Sequence, residues 1–389
     1  MQQEVHLFIL WEKARIKEEK IIEDISCNFE ILRIFEIEWS KENFSKNLSR
    51  FYGENLPKNS NKEKHCGNGA FLVIVVKDNN PLYRIRKTSK GITCVNTNIF
   101  DSKEMYRFWT GGGHKIHGTN SIAEANHDLV LLLGVNVEDF KAKLKRTNYK
   151  KSNNKNVIKF MDDVTGSNGW ESIHHLFYVL NASTKYLVLR NFECLPDKYN
   201  MENHGDIDLL VENYNNIKHI TNSKEVFKSK FRVQNIVKIR GESLLFDYRF
   251  IGDDYFDSNW QKRMLANRIF DRRGFFRVND EDYFYSLLYH AFIHKSEISF
   301  DYKLRLSKLL KNINLSRINK RDIHDEKTLF ETLLKYLKKN NFEMKEPRDF
   351  SVFFNPFYTK KKMSKRKFFL KAMNRLNRAL KRCGVGNYN

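Results

Sequence analysis

The segment Asp206-Ile207-Asp208-Leu209-Leu210-Val211 restricts what this chain can fold into more than any other. Its apolar run reads as a β-strand, in which alternate side chains share a face. Asp206 and Asp208 then project together, while Ile207 and Leu209 project oppositely. Two like charges on neighbouring same-face positions, beside an apolar run, are costly unless a cation lies between them. Magnesium suits such a pair, being a hard ion held by one or two carboxylates plus substrate phosphates, and manganese can substitute for it. A third carboxylate, Asp247, sits inside the apolar stretch Leu244-Leu245-Phe246-Asp247-Tyr248, where it can meet the pair from an adjacent strand. Three such groups can hold one or two ions that orient an attacking oxygen and offset charge on a phosphate. A random D-x-D at a strand start is more often a solvated turn. The preceding His204-Gly205, the continuing strand and the embedded Asp247 favour the metal-site reading here.

At 389 residues the chain is too long for one ordinary core, so two domains are expected. In the N-terminal part, residues 5–10, 31–39 and 70–76 read as strands, and residues 17–29 and 41–52 as amphipathic helices. A polar, glycine-containing stretch runs to Gly113, followed by a strand near residues 115–117 and a helix over 122–133. This order suits an antiparallel sheet with helices on one face, over residues 1–142. Residues 143–156 are basic, polar and without apolar periodicity, and read as a linker. The second domain, residues 157–310, opens with a helix over 170–180. Strands follow at 186–189, 206–211, 229–237 and 243–251, then an aromatic helical stretch over 280–310. A helical region, 311–358, and a basic tail, 359–389, complete the chain.

The second domain resembles the nucleotidyltransferase superfamily, the mixed α/β fold of DNA polymerase beta-like enzymes, in its bacterial branch found near surface-polysaccharide genes. The resemblance covers about residues 186–302 and rests on YLVLRNFECLP, HGDIDLLV, SLLFDYRFIG and DYFYSLLYHAFIHK. It implies Asp206 and Asp208 as metal ligands, Asp247 as the third carboxylate, and His204 and Gly205 at the substrate. The Gly-Gly or Gly-Ser that usually follows the first strand is replaced by Leu189-Arg190-Asn191-Phe192. Arg190 can supply a guanidinium clamp on phosphate in its stead. His290 and His294 lie one helical turn apart in a segment dense with Tyr, Phe and Leu, where core histidines are the more frequent outcome than shared metal ligation.

In the N-terminal part, Gly118-Thr119-Asn120-Ser121 leads into the helix at residue 122, with Asn120 or Ser121 as its cap and Glu124 in its first turns. A glycine-containing turn at a helix N-terminus offers free N–H groups to an anion, although a simple capped turn is as frequent. KIHGTNSIAEANHDLVLLLG resembles the active-site histidine segment of nucleoside diphosphate kinases, whose core is ferredoxin-like, and the resemblance covers roughly residues 4–134. It implies that His117 occupies the place of the phosphorylated histidine and that Lys13, Arg86, Thr93 and Arg107 face phosphates. The early lysine loop lacks Pro-Asp-Gly, and Asn120 stands where an acidic residue is usual.

The formal charge of +22 fits phosphate-rich ligands, nucleic acid or anionic membrane alike. Half of it comes from residues 359–383, which hold eleven Lys and Arg and no acid. There Phe369, Ala372, Met373, Leu376, Leu380 and Cys383 fall on one helical face, as in helices that lie on anionic lipid. Nucleic acid is the less favoured partner, because the remaining body is only moderately basic. Five scattered cysteines fit a reducing cytosol, and the longest apolar run, 129–135, is far below a membrane span. The expectation is a cytoplasmic, magnesium-dependent transferase, peripheral at the inner membrane face, moving a nucleotidyl or phosphoryl-linked group to a sugar, polyol or glycan hydroxyl. An RNA- or protein-modifying nucleotidyltransferase and a non-catalytic nucleotide-binding module remain as alternatives.

Overall fold

A computed structural model describes residues 3–89, 91–146, 157–197, 206–227, 232–312 and 325–360. The chain forms two compact units. The first takes Met1–Lys185, Asn215–Lys224 and Val237–Ser243; the second takes Tyr186–Tyr214, Glu225–Ile236 and Leu244–Asn389. Along the chain run β1 (Glu4–Leu10), α1 (Glu18–Asn28), β2 (Glu30–Ile37), α2 (Phe44–Tyr52), α3 (Asn61–Cys66), β3 (Phe71–Asp78), β4 (Tyr83–Thr88), β5 (Gly91–Asn96) and α4 (Thr97–Trp109). Then come β6 (Ile116–Gly118), α5 (Ile122–Leu133), α6 (Val137–Arg146), β7 (Val157–Phe160), α7 (Ile173–Ser183), β8 (Tyr186–Val188) and β9 (Ile207–Val211). The rest is α8 (Tyr214–Thr221), β10 (Lys224–Glu225), β11 (Gln234–Ile239), β12 (Glu242–Phe250), α9 (Ser258–Ala266), β13 (Ile269–Asp271), β14 (Phe275–Arg277), α10 (Asp280–Ile293), α11 (Phe300–Asn312), α12 (Glu326–Lys339) and α13 (Pro356–Thr359). The protein is thus of mixed α and β structure.

The first sheet has the order β6-β1-β3-β2-β7. β1 is antiparallel to β3 and β6, and β2 is antiparallel to β3, while β7 joins the β2 edge in parallel. Helices cover both faces, not one. Phe8, Leu10, Leu72, Ile74 and Val76 pack with Ile21 and Ile25 of α1 and Ile99 and Tyr106 of α4. The alternate residues Leu7, Ile9, Val73 and Val75 are equally buried, and α5 packs against β1. The uninterrupted apolar run of β3 follows from this, since a strand covered on both sides has no polar face to present.

Two further departures from the sequence reading stand out. The polar stretch before Gly113 contains the β4–β5 hairpin and α4, which is capped by Asn96 accepting from the N–H groups of Asn98 and Ile99. Residues 157–185 belong with the first unit, because β7 extends its sheet and Trp170 bonds Lys238 and Arg240 of the same unit through its backbone. Within the expected linker, residues 143–146 end α6, and residues 147–156 lie outside the described residues.

Arg50 of α2 ties this discontinuous unit together. Its buried guanidinium donates to the carbonyls of Val164 (3.1 Å), Thr165 (2.6 Å), His219 (3.0 Å) and Ile220 (3.0 Å). Four buried carbonyls thus share one donor group.

The second sheet has the order β10-β11-β12-β9-β8-β14-β13. β9 runs parallel to β12 and antiparallel to β8, and β8 is parallel to β14. α10 is buried from Asp282 to Ile293, which explains its all-round apolar and aromatic composition. Asp282 in its first turn accepts from Trp260 Nε1 (2.8 Å), Arg263 (2.6 Å) and the Tyr336 hydroxyl (2.8 Å), so that this buried acid is fully engaged. Among the described residues no helix is long and apolar enough to cross a membrane. Of the basic tail, only Thr359 and Lys360 are described.

Replacing Arg50 by Met removes the guanidinium from four carbonyl oxygens, of which Val164 and His219 keep a backbone N–H partner, at a cost of about 3 kcal/mol. Urea unfolding of the first unit should show the loss, and an unchanged transition would remove Arg50 from this role.

Candidate active site

The carboxylates meet because of strand register. Asp208 of β9 and Asp247 of β12 are direct partners in the parallel ladder, so their side chains leave the sheet on the same face. Asp206 precedes Asp208 by two positions and shares that face. Asp208 is fully buried, whereas Asp206 and Asp247 are half-buried. Burial, and then the charges of Asp208 and Asp247, push the Asp206 carboxyl up to about 7; Arg190 and Arg249 oppose this only in part. Burial likewise raises Asp247, against the pull of Arg249 and with help from Asp208.

Two arginines partly neutralise the cluster. Arg190 donates to Asp208 Oδ1 at 2.6 Å and to the Tyr255 hydroxyl at 2.9 Å. Arg249 bridges Asp247 (3.2 Å) and Asp349 (3.2 Å), and its guanidinium stacks over the Tyr255 ring at 4.3 Å. Tyr255 in turn contacts His290 Nδ1 at 2.6 Å. Burial and the nearby arginine charge hold His290 well below the ordinary imidazole range, so it is neutral. His290 and His294 are buried and lie Nδ1 to Nδ1 at 3.4 Å, as packed core histidines do.

Among the described residues no three His, Cys, Asp or Glu side chains are gathered into a ready metal cage. The donor chemistry nevertheless suits a hard divalent cation. Asp247 Oδ1 is buried with no hydrogen-bond partner, and a buried, unsatisfied carboxylate oxygen calls for a cation or a donor. Of the three acids, Asp206 lines a cavity of about 550 Å³, whose walls also carry Asn191, Lys308 and the ion pairs Arg273–Asp271, Arg277–Asp280 and Arg305–Asp301. Asn191 adopts the left-handed conformation (φ 60°), which asparagine tolerates better than most residues. The turn after β8 therefore has its left-handed residue without a glycine. Arg190 itself lies on Asp208 and Tyr255. His204 and Gly205 lie outside the described residues.

The first unit holds a separate pocket of about 650 Å³ around His117. His117 Nε2 lies 2.8 Å from Asp128 Oδ2, and His127 Nδ1 lies 3.0 Å from Asp128 Oδ1. Burial pushes Asp128 up, but the two histidines outweigh it and leave the carboxyl below its ordinary value. Phe51 and Tyr52 of α2 pack edge-on against the His117 ring. Arg107, Lys62, Lys87 and Lys103 line the pocket together with Glu54, Glu104 and Glu124, and Lys62 and Arg107 pair with Glu54 and Glu104. Burial lowers Lys103 to about 8, with Arg107 adding repulsion. Ser121 caps α5 by accepting from the Glu124 N–H, and Glu124 returns the bond to the Asn120 N–H at 2.6 Å. Lys13, Arg86 and Thr93 are not among the residues lining this pocket. Lys13 is exposed on a 3-10 turn, Arg86 pairs with Asp101 at 3.1 Å, and Thr93 faces Arg86 across the β4–β5 hairpin.

Tyr255, Asp349 and Asp128 are site residues that pattern reading does not single out. The signal for Asp128 is an acid set directly before the apolar end of α5, Leu129 to Leu133. Tyr255 and Asp349 reach the cluster only through long-range packing. Comparison with known proteins finds no family model that matches the chain and no curated protein with significant similarity.

The Asp206 shift has a sign that can be checked. Its carboxyl ionises near 7 when folded, against about 4 in an unfolded chain. The folded state therefore carries a penalty above pH 7 that fades as pH falls and vanishes below pH ~4. In chelator, Asp206→Asn should raise the urea midpoint of the second unit at pH 8 and leave it unchanged at pH 4. Equal midpoints at both pH values would remove carboxylate repulsion from the account.

Proposed function

We propose that the second unit is a nucleotidyltransferase-like transferase, with Asp206, Asp208 and Asp247 as the groups that hold magnesium. The observation that carries this reading is the in-register pairing of Asp208 and Asp247 on adjacent parallel strands, beside a cavity that Asp206 enters. The mixed seven-stranded sheet, with helices α9 and α10 after its long strand, fits the nucleotidyltransferase resemblance. Bound magnesium would polarise a phosphate and offset the charge that builds on it. The chain's own contribution is placement: Arg273, Arg277 and Arg305, which rest on Asp271, Asp280 and Asp301 of the cavity wall, would turn to the phosphate, and the rigid strand pair holds the acids. The resemblance points to a nucleotide donor and to a sugar, polyol or surface-glycan hydroxyl as acceptor. In this reading residues 359–383 keep the enzyme at an anionic membrane surface.

In the first unit, the strand order and strand directions of β1, β2, β3 and β6 support a ferredoxin-like, nucleoside diphosphate kinase-like reading. His117, held by Asp128 and lining a pocket that Lys62, Lys87, Lys103 and Arg107 also enter, is the residue that would carry a phosphoryl group there.

A second reading, a non-catalytic nucleotide-binding module, is favoured by one observation: Arg190 and Arg249 already supply positive charge to Asp208 and Asp247. Incubation with each radiolabelled nucleoside triphosphate and magnesium separates the readings. Transfer that falls about 100-fold or more in Asp208→Asn supports the enzyme. Nucleotide binding with no transfer supports the module, and no binding of any nucleotide sinks both. Acid-labile label on the protein that disappears in His117→Ala, but not in Asp208→Asn, is the expected signature of the first unit's chemistry.

A further inference from the structure

The cluster in the second unit has a feature that a simple cation site lacks. Its most buried acid, Asp208, is already bound by a cation belonging to the protein. The Arg190 guanidinium lies 2.6 Å from Asp208 Oδ1, and the two side chains are 14% and 2% exposed. Arg190 is held from its other side by the Tyr255 hydroxyl, itself fixed against His290. Neighbouring Asp247 is treated differently: Arg249 takes only Oδ2, and Oδ1 stays buried without a partner. Arg190 also begins the turn whose Asn191 lines the cavity that Asp206 enters. A guanidinium one residue from that cavity's lining can exchange one oxyanion for another, because carboxylate and phosphate both match its planar fork.

We propose that Arg190 is a displaceable internal counter-cation, which holds Asp208 in the resting protein and moves to a phosphate when a divalent cation takes its place. This rests on the metal-site reading above and deepens it. Two consequences follow from charge balance. A divalent cation alone binds weakly, because it must compete with Arg190 for Asp208 and leaves a buried guanidinium with no anion. A polyphosphate supplies that anion, so cation and polyphosphate bind with positive coupling, of about tenfold or more. Tyr255 is the positioning residue, since its hydroxyl keeps Arg190 aimed at Asp208 in the resting state.

The test uses the full-length protein, manganese chloride as the cation probe and pyrophosphate as the anion probe, with bound manganese followed by electron paramagnetic resonance. In the unaltered protein, pyrophosphate should tighten manganese binding about tenfold or more beyond their association in buffer. Arg190→Met should bind manganese alone about tenfold or more tightly than the unaltered protein, and should lose most of the pyrophosphate enhancement. Loss of any nearby positive charge tightens cation binding, so the exchange is marked by tighter binding in Tyr255→Phe, which keeps that charge, together with the lost pyrophosphate enhancement in Arg190→Met. Tyr255→Phe, which keeps the Arg190 charge but frees its fork, should shift manganese affinity in the same direction by a smaller factor. It carries the test if Arg190→Met does not fold. Manganese binding that is abolished by Asp208→Asn yet unchanged or weaker in both variants overturns the exchange and leaves the metal site standing. Manganese binding that is absent, or indifferent to Asp208→Asn, overturns the metal site and the exchange together.

Discussion

The second unit is organised around three carboxylates that its strand register forces onto one side of a sheet. Like charges at opposed positions weaken strand pairing, yet the backbone pairing of β9 with β12 sets Asp208 beside Asp247 and leaves that cost to be met elsewhere. The surroundings are then arranged to meet that cost. Arg190 and Arg249 come from different strand ends, Tyr255 lies between their guanidinium groups, and Asp349 steadies Arg249 from a distant part of the chain. The remaining imbalance falls on Asp206, the member nearest the cavity, and takes the form of a carboxyl that ionises close to neutrality.

The first unit treats its buried charge in the opposite manner. Asp128 is enclosed, but its two oxygens each meet a histidine, so its ionised form is favoured despite burial. Arg50 is enclosed with carbonyl oxygens alone, and its role is mechanical: it joins segments that local structure leaves apart. Both cases follow one rule, that a buried charge persists only when its surroundings answer it with the opposite sign or with hydrogen bonds. Around Asp247 Oδ1 that rule is not yet satisfied, which makes this atom the clearest invitation to a ligand in the second unit.

Much of this was legible in the residues. The strands at β1, β2, β3 and β9 and the helices α1, α2 and α5 sit within a few residues of their apolar patterns, because one-sided burial gives periodicity and two-sided burial gives an unbroken apolar run. The D-x-D on β9 and the acid inside β12 were readable as a pair for the same reason, since a charge within an apolar strand is conspicuous. Three features were not readable. The β4–β5 hairpin is a two-stranded ribbon on which Ile85 and Ile92 share one face and are both exposed, so burial does not impose alternation there. Helix α4 is diluted by Thr97, Asn98, Asp101, Ser102 and Lys103, and its inward residues are few. The two-sided cover of the first sheet was foreshadowed by the apolar run of β3 but needed residues beyond the expected linker to supply its last strand. As for the site, Lys13, Arg86 and Thr93 were placed by resemblance alone, and short-range pairing with local partners keeps Arg86 elsewhere.

The first unit is assembled from three separate stretches of chain, and Arg50 clasps carbonyls from two of them. During synthesis its last contributing stretch, Val237–Ser243, leaves the ribosome only after β8 and β9 of the other unit have already emerged. The two halves therefore mature interleaved rather than one after the other. A fragment ended at Lys185 lacks Ile220 and His219 for Arg50 and Lys238 for Trp170, and it exposes the surfaces that those residues close. Proteolytic separation of the halves at any single peptide bond is ruled out by the path of the chain itself.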